Sequence, residues 1–268
     1  MALSLLNNIT SLEAQNQLDQ TNASLQKTLV QLSSGSRLNS GADDPAGLSI
    51  ADSLHSDEAV LNQASNNANV GIGLLQTADG SLGQVTNLLD RAVTIATEAA
   101  NGGLTASQLG ALDNEFTSIK NEIDRIGSQT TFNTSSVFTA STTSIFLGST
   151  TNSIGVTIGT LSSSGLGISG DSLTSGNAAT ALSDIQAAVL TVASDRGTLG
   201  ATLNRLTDAQ NVITNQITNL TAAENLVRSA NIPQEVTQEA QYSVLEQTGI
   251  SSLSQANQTT QQILRLFQ

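Results

Sequence analysis

Acid–base or metal chemistry in this chain would have to start from its single histidine, His55, because cysteine is absent and the remaining titratable groups are scattered Asp, Glu, Lys and Arg. The helical phasing around His55 puts it on a polar side, with no Cys, second His or ordered carboxylate cluster beside it, so it reads as a solvated helix residue. Asp43-Asp44 invites comparison with a calcium loop, but the later ligands of such a loop do not follow, and a capping role is preferred. Gly71 and Gly73 do not follow a strand, so they form no phosphate loop. The Asn-x-Ser/Thr triplets at Asn22 and Asn219 fall on helical seams and read as chance matches. No nucleophile, acid–base pair, metal set or cofactor motif emerges, and an enzyme is not expected.

What remains is architecture. From Leu182 to Val227, apolar residues recur at steps of three and four: Leu182, Ile185, Val189, Val192, Leu199, Leu203, Leu206, Ile213, Ile217, Leu220 and Val227. Only Arg196, Gln210 and Glu224 fill polar slots in that ladder. A 3.5-residue repeat over so many turns, without proline, predicts one long helix burying a narrow seam. Val85, Leu89, Ala92, Ala96 and Ala99 form a partner ladder, and Leu109, Leu112, Phe116, Ile119, Ile123 and Ile126 form another.

Composition agrees with slender seams. The 268 residues are 2% aromatic, contain no tryptophan and carry a formal net charge of −13 with only nine Lys and Arg. Scattered cations make nucleic acid a poor partner. The N-terminus has neither a basic region nor a continuous apolar run, and no stretch is apolar enough to span a bilayer, so neither a general secretory signal nor membrane insertion is expected.

Along the chain, residues 1 to about 35 predict an amphipathic helix with Leu5, Ile9, Leu12, Leu18, Leu25, Leu29 and Leu32 on one stripe. Asp44-Pro45 predicts the start of a second helix running to about Ala100 and stopped by Asn101-Gly102-Gly103. A third helix is expected to reach Ile126, with Gly127 closing it. Between about Gln129 and Asn177 the chain turns to Ser, Thr and Gly with isolated apolar residues. Alternation at Ile154, Val156 and Ile158, after Phe146-Leu147 and a turn at Thr151-Asn152-Ser153, predicts one small antiparallel hairpin; a disordered linker is the alternative. The long ladder should break near Ile232-Pro233, and a last helix should carry Leu253, Ala256, Ile263, Leu264 and Phe267. The fold class is therefore mainly α: a long coiled-coil rod formed by the N- and C-terminal segments, with a small β-hairpin in the middle segment.

Several blocks then resemble bacterial flagellin, the subunit of the flagellar filament. They are Leu32-Ser-Ser-Gly35 with Arg37-Leu-Asn-Ser40, Asp43-Asp-Pro-Ala-Gly47, Asn67-Ala-Asn69 with Gly71-Ile72, Gln76-Thr-Ala78, and Asn121-Glu-Ile-Asp-Arg125. Leu199-Gly-Ala201 with Asn204-Arg-Leu206, Asn219-Leu-Thr-Ala-Ala-Glu224 and Gln255-Ala-Asn257 complete the set in the C-terminal half. Their order and spacing, more than any single block, carry the likeness. Two departures stand out: Phe132-Asn133-Thr134 lacks the usual glycine of that turn, and Gly41-Ala42 replaces a commonly basic pair member.

The resemblance implies an inner coiled-coil domain from residues 1–42 plus 229–268, and a helical middle domain over 43–228 with a hairpin at about 131–177 and no outer domains. It implies a homopolymeric helical filament outside the cell, built from subunits exported unfolded with the help of an export apparatus and chaperone and added beneath a filament cap. Filament-core packing would fall to Leu5, Ile9, Leu12, Leu25, Leu29, Leu32, Leu253, Ile263, Leu264 and Phe267. Recognition by Toll-like receptor 5 would involve Leu89, Arg91, Ile95 and Glu115, although Val93 and Ile95 depart from a usual arginine and leucine. Ser162, Ser163 and Ser164 mark an O-glycosylation region expected to be exposed. Two alternatives are a flagellin-like hook–filament junction protein, which would form no long filaments alone, and a secreted coiled-coil adhesin or effector.

Overall fold

The structure is a computed structural model that describes residues 8–149, 152–174 and 176–266, without the side chains of residues 149, 260 and 263–266. In order, it contains α1 (Ile9–Ser34), α2 (Pro45–Ala99), α3 (Ala106–Gln129), β1 (Thr131–Phe132), β2 (Ser135–Ser136), β3 (Thr142–Ser149), β4 (Asn152–Thr157), α4 (Ala178–Arg228) and α5 (Ile232–Leu266). Contacts divide the chain into two compact units, residues 1–58 with 219–268 and residues 59–218.

Helix ends follow local chemistry. Asn8 caps α1 through its side chain, and Gly35 ends it in the left-handed region. The Asp44 carboxylate accepts from the N–H groups of Ala46 and Gly47 ahead of Pro45, as expected of the Asp-Pro start. Thr105 and Gln108 form a reciprocal capping box on α3. The break before α5 falls at residues 229–231, so Ile232 and Pro233 belong to the helix; proline fits a first turn, where its missing N–H is no loss.

The unit of residues 59–218 contains a contiguous apolar core. Leu75, Leu82, Val85, Leu89 and Ile95 of α2 join Phe116 and Ile123 of α3 and Ile185, Val192, Leu199, Leu206 and Ile213 of α4. The ladders are therefore seams. Two of their polar slots find partners on α2: Arg196 binds the Asp79 carboxylate at 2.8 Å, and the Gln210 amide donates to the Asn69 side chain at 2.9 Å.

Within the Ser/Thr/Gly segment, β3 and β4 pair antiparallel with Ile145 opposite Ile154. Asn152 and Ser153 belong to β4, so of the expected turn these two residues are strand; Thr151 lies outside the described residues. A second hairpin, β1–β2, also forms; its turn residues Asn133 and Thr134 take φ of 49° and 66°, the pattern of a two-residue hairpin turn with both central residues left-handed. No strand occurs among the described residues of 158–177.

The segment is not a linker. Ile145, Leu147, Ile154, Val156, Ile158, Leu161, Leu166, Ile168 and Leu173 all enter the core. Three α3 side chains at one-face spacing hold its later part. The Asp113 carboxylate accepts from the Leu173 N–H at 2.7 Å, Lys120 Nζ donates to the Asp171 carbonyl at 2.7 Å, and the Asp124 carboxylate accepts from the Ser163 N–H at 2.6 Å and hydroxyl at 2.8 Å. Gly127 continues that face and does not end α3, which runs on to Gln129. A Cβ there would collide with the Leu161 carbonyl oxygen and lie 2.8 Å from its carbon, so the glycine serves close approach of the loop.

Candidate functional site

The terminal unit, residues 1–58 with 219–268, is built differently. Helices α1 and α5 pack along their lengths. Their less exposed positions include Ala14, Leu18, Thr21, Leu25, Thr28 and Leu32 on α1, and Glu235, Glu239, Tyr242, Glu246, Gly249, Leu253 and Ala256 on α5. Both sets step by fours and threes, a heptad seam. Leu18 lies against Gly249, where an added Cβ would come within 3.1 Å of its Cδ1. Near the open end the Ser11 hydroxyl meets the Asn257 side chain at 3.0 Å.

That seam is polar for a helix pair. Thr21 and Thr28 are buried in it, and Glu235, only 8% exposed, leaves Oε2 without a hydrogen-bond partner. Meanwhile Ile9, Leu12, Leu29 and Val30 of α1 and Val236, Val244, Leu245 and Ile250 of α5 face outward; Val244 is 63% and Leu12 59% exposed. Among the described residues of this unit, Leu38 and Ala51 are the fully buried apolar side chains. The terminal pair thus turns apolar side chains away from its own seam and has no core of its own.

This arrangement divides the expected packing stripe. Leu25, Leu32 and Leu253 belong to the intramolecular seam, whereas Ile9, Leu12 and Leu29 are exposed. The side chains of Ile263 and Leu264 are not described, and Leu5 and Phe267 lie outside the described residues.

Where α1 meets α2, the motif residues are tied to the end of α4. The Arg37 N–H donates to the Arg228 carbonyl at 2.7 Å, its guanidinium reaches the Val227 carbonyl at 2.9 Å, and the Ala230 N–H donates to the Gly35 carbonyl at 3.0 Å. Asp43 closes the connector, accepting from the N–H groups of Asn39 and Ser40 while pairing with Lys27 at 2.8 Å. The Lys27 ammonium, with those two N–H groups, holds the Asp43 carboxyl at about 2, below the usual 3.8.

The receptor-facing expectation is partly overturned. Leu89 and Ile95 are fully buried in the core, because their positions on α2 continue its seam, and neither can meet a partner. Arg91 and Glu115 are exposed and already pair with each other, Nε to Oε1 at 2.7 Å. Among the serines, Ser163 is buried and engaged by Asp124, so it is no modification site; Ser164 is exposed and Ser162 half-buried. His55 also differs from its expectation: Glu58 from its own helix and Glu224 from α4 stand beside it.

Comparison with known proteins identifies the family. The model of the bacterial flagellin N-terminal helical region matches residues 5–143, and that of the C-terminal helical region matches residues 182–267. A flagellin of Halalkalibacterium halodurans is 32% identical over 90% of this chain and 91% of its own length. A flagellin of Bacillus subtilis is 32% identical over 97% of this chain and 98% of its own. The crystal structure of Bacillus cereus flagellin superposes with a TM-score of 0.50 at 31% identity, covering 59% of this chain and 94% of that one. With both terminal helical regions matched and relatives aligned nearly end to end, the chain belongs to the bacterial flagellin family.

Proposed function

We propose that this chain is a structural subunit that polymerises with copies of itself into the flagellar filament. The observation that carries this reading is the terminal helix pair, whose outward Ile, Leu and Val side chains remain 43–63% exposed. Identical subunits that cover such faces by head-to-tail contacts grow into an open helix. In the filament, residues 1–42 plus 229–268 form the inner domain and 43–228 the middle domain.

The test is seeded elongation of Val244→Ser/Ile250→Ser. These side chains are 63% and 52% exposed in the monomer, so its helical circular dichroism should not change. Burying the exposed part of both in a polymer is worth roughly 2–3 kcal/mol, or about 30- to 150-fold in critical concentration. Elongation at an unchanged critical concentration would refute the assignment.

The same reading places the subunit outside the cell, after export in unfolded form through the flagellar export apparatus with an export chaperone and addition beneath a filament cap. The lack of cysteine and of a core in the terminal unit supports it. Toll-like receptor 5 recognition rests on the exposed Arg91–Glu115 pair. Monomer that stimulates reporter cells equally with Arg91→Ala, Glu115→Ala and the unchanged sequence would exclude that pair. O-glycosylation, where the host performs it, falls on Ser164 rather than Ser163, and peptide mass mapping of native filaments reads the difference.

A further inference from the structure

We propose that His55, Glu58 and Glu224 form a zinc-binding site within the terminal unit, joining α2 to α4. One ligand atom from each residue lies within 4.8 Å of the other two. His55 and Glu58 are three residues apart on one helix and share a face. Glu224 arrives from the far end of the chain's longest ladder.

The spacing suits a small tetrahedral ion. Two donors each about 2.0–2.1 Å from zinc stand roughly 3.3–3.4 Å apart. His55 Nδ1 and Glu224 Oε2 are 3.6 Å apart, so the pair needs almost no movement to share one ion. Rotation of the half-buried Glu58 side chain supplies the third ligand, and water the fourth.

Glu224 is preset for this role. Its side chain is only 14% exposed, and its two oxygens are divided between partners, Oε1 accepting from Arg228 Nη1 at 3.1 Å while Oε2 faces the imidazole. An ion on Oε2 leaves the Arg228 contact intact, and a hydrogen-bonded, oriented carboxylate is what supports a ligand in protein metal sites. Glu58 forms no ion pair among the described residues, so its charge is available. One imidazole and two carboxylates in a three-ligand set suit zinc rather than calcium or magnesium, which take more ligands and prefer all-oxygen sets.

Because the chain has one histidine, the experiment reads the site directly. Untagged full-length monomer, with its imidazole labelled with nitrogen-15, is titrated with zinc chloride and separately with calcium chloride. Saturable one-to-one binding with a shift of the His55 nitrogen resonances by zinc alone is expected. His55→Ala should abolish binding, and Glu58→Gln and Glu224→Gln should each weaken it by about tenfold or more, with unchanged helical circular dichroism. Glu58→Gln is the more informative variant, since it disturbs no existing ion pair. Unshifted imidazole resonances, an equal response to calcium, or unchanged zinc affinity in both glutamate variants would overturn the proposal; the last would reduce it to adsorption on a lone imidazole.

Discussion

Replacing Gly127 by alanine separates helix propensity from packing, because Gly110 in the same helix provides an internal control. On propensity alone, Gly→Ala in a helix interior should stabilise by about 1 kcal/mol. Gly110 has open space where a Cβ would sit, so Gly110→Ala should approach that gain. At Gly127 the added carbon meets the Leu161 carbonyl group, which is backbone and cannot rotate away. Leu161 is itself buried, and two residues on, Ser163 is fixed by two hydrogen bonds to Asp124. Relief requires moving that loop off α3. Overpacking of this kind costs about 1–3 kcal/mol, and losing the Asp124 hydrogen bonds adds about 1.5–3 each because the acceptor is charged. A net loss of about 3–8 kcal/mol is expected after the propensity gain when both hydrogen bonds break. Urea denaturation of the monomer, followed by circular dichroism, should therefore show opposite shifts in midpoint for the two variants, with similar slopes. Equal stabilisation by both substitutions would refute the close approach of Leu161 to α3.

Three shorter predictions test other parts. Thr134 is a β-branched residue at φ 66°, so Thr134→Gly should stabilise the β1–β2 hairpin by about 1 kcal/mol, read as a rise in the urea midpoint; destabilisation would argue against that turn. A carboxyl depressed in the folded state stabilises above its unfolded value and loses that contribution as pH falls through its folded value. The Asp43 connector should accordingly loosen between about pH 3.8 and 2, seen as falling amide protection factors at Asn39 and Ser40 that Asp43→Asn reproduces at neutral pH. Finally, a cysteine at position 164 should react with a maleimide in the native monomer much faster than one at 163, because Ser163 is 7% exposed.

The parts of the fold legible in the sequence are those set by local repetition. The α4 ladder and the seams of α2 and α3 recur every three or four residues, and each extra turn confirms the register. The Asp44-Pro45 start was legible because capping involves neighbours a few residues apart. Residues 158–174 gave no comparable signal, since Asp113, Lys120 and Asp124 hold them through contacts across some forty to sixty positions. The seven- and four-residue spacing of those three on α3 was the available clue. A helix-end glycine, as Gly127 is expected to be, and a close-approach glycine look alike in sequence until the neighbour is known. His55 looks isolated in sequence for a similar reason: Glu224, which makes it part of a cluster, comes from the opposite end of the chain.

The hardest feature to read was the face of the terminal helices. An apolar stripe predicts burial but not the partner, and here the stripe is split: Leu18, Leu25, Leu32 and Leu253 serve the intramolecular seam, whereas Ile9, Leu12, Leu29, Val244 and Ile250 stay exposed. The intramolecular seam mixes Leu18, Leu25, Leu32 and Leu253 with Thr21, Thr28 and Glu235, so its polar layers gain little hydrophobic stabilisation and leave one carboxylate oxygen without a partner. Polar seam residues can fix register at a cost in strength, as at single polar positions of coiled coils. On the proposed reading, the outward Ile, Leu and Val side chains supply the strength when other copies cover them. The middle unit differs, because its ladders, hairpins and α3 contacts meet their partners inside one chain. Folding and assembly are therefore assigned to different residues: mutations in the middle core should unfold the subunit, whereas mutations on the outward faces of α1 and α5 should leave it folded and stop growth.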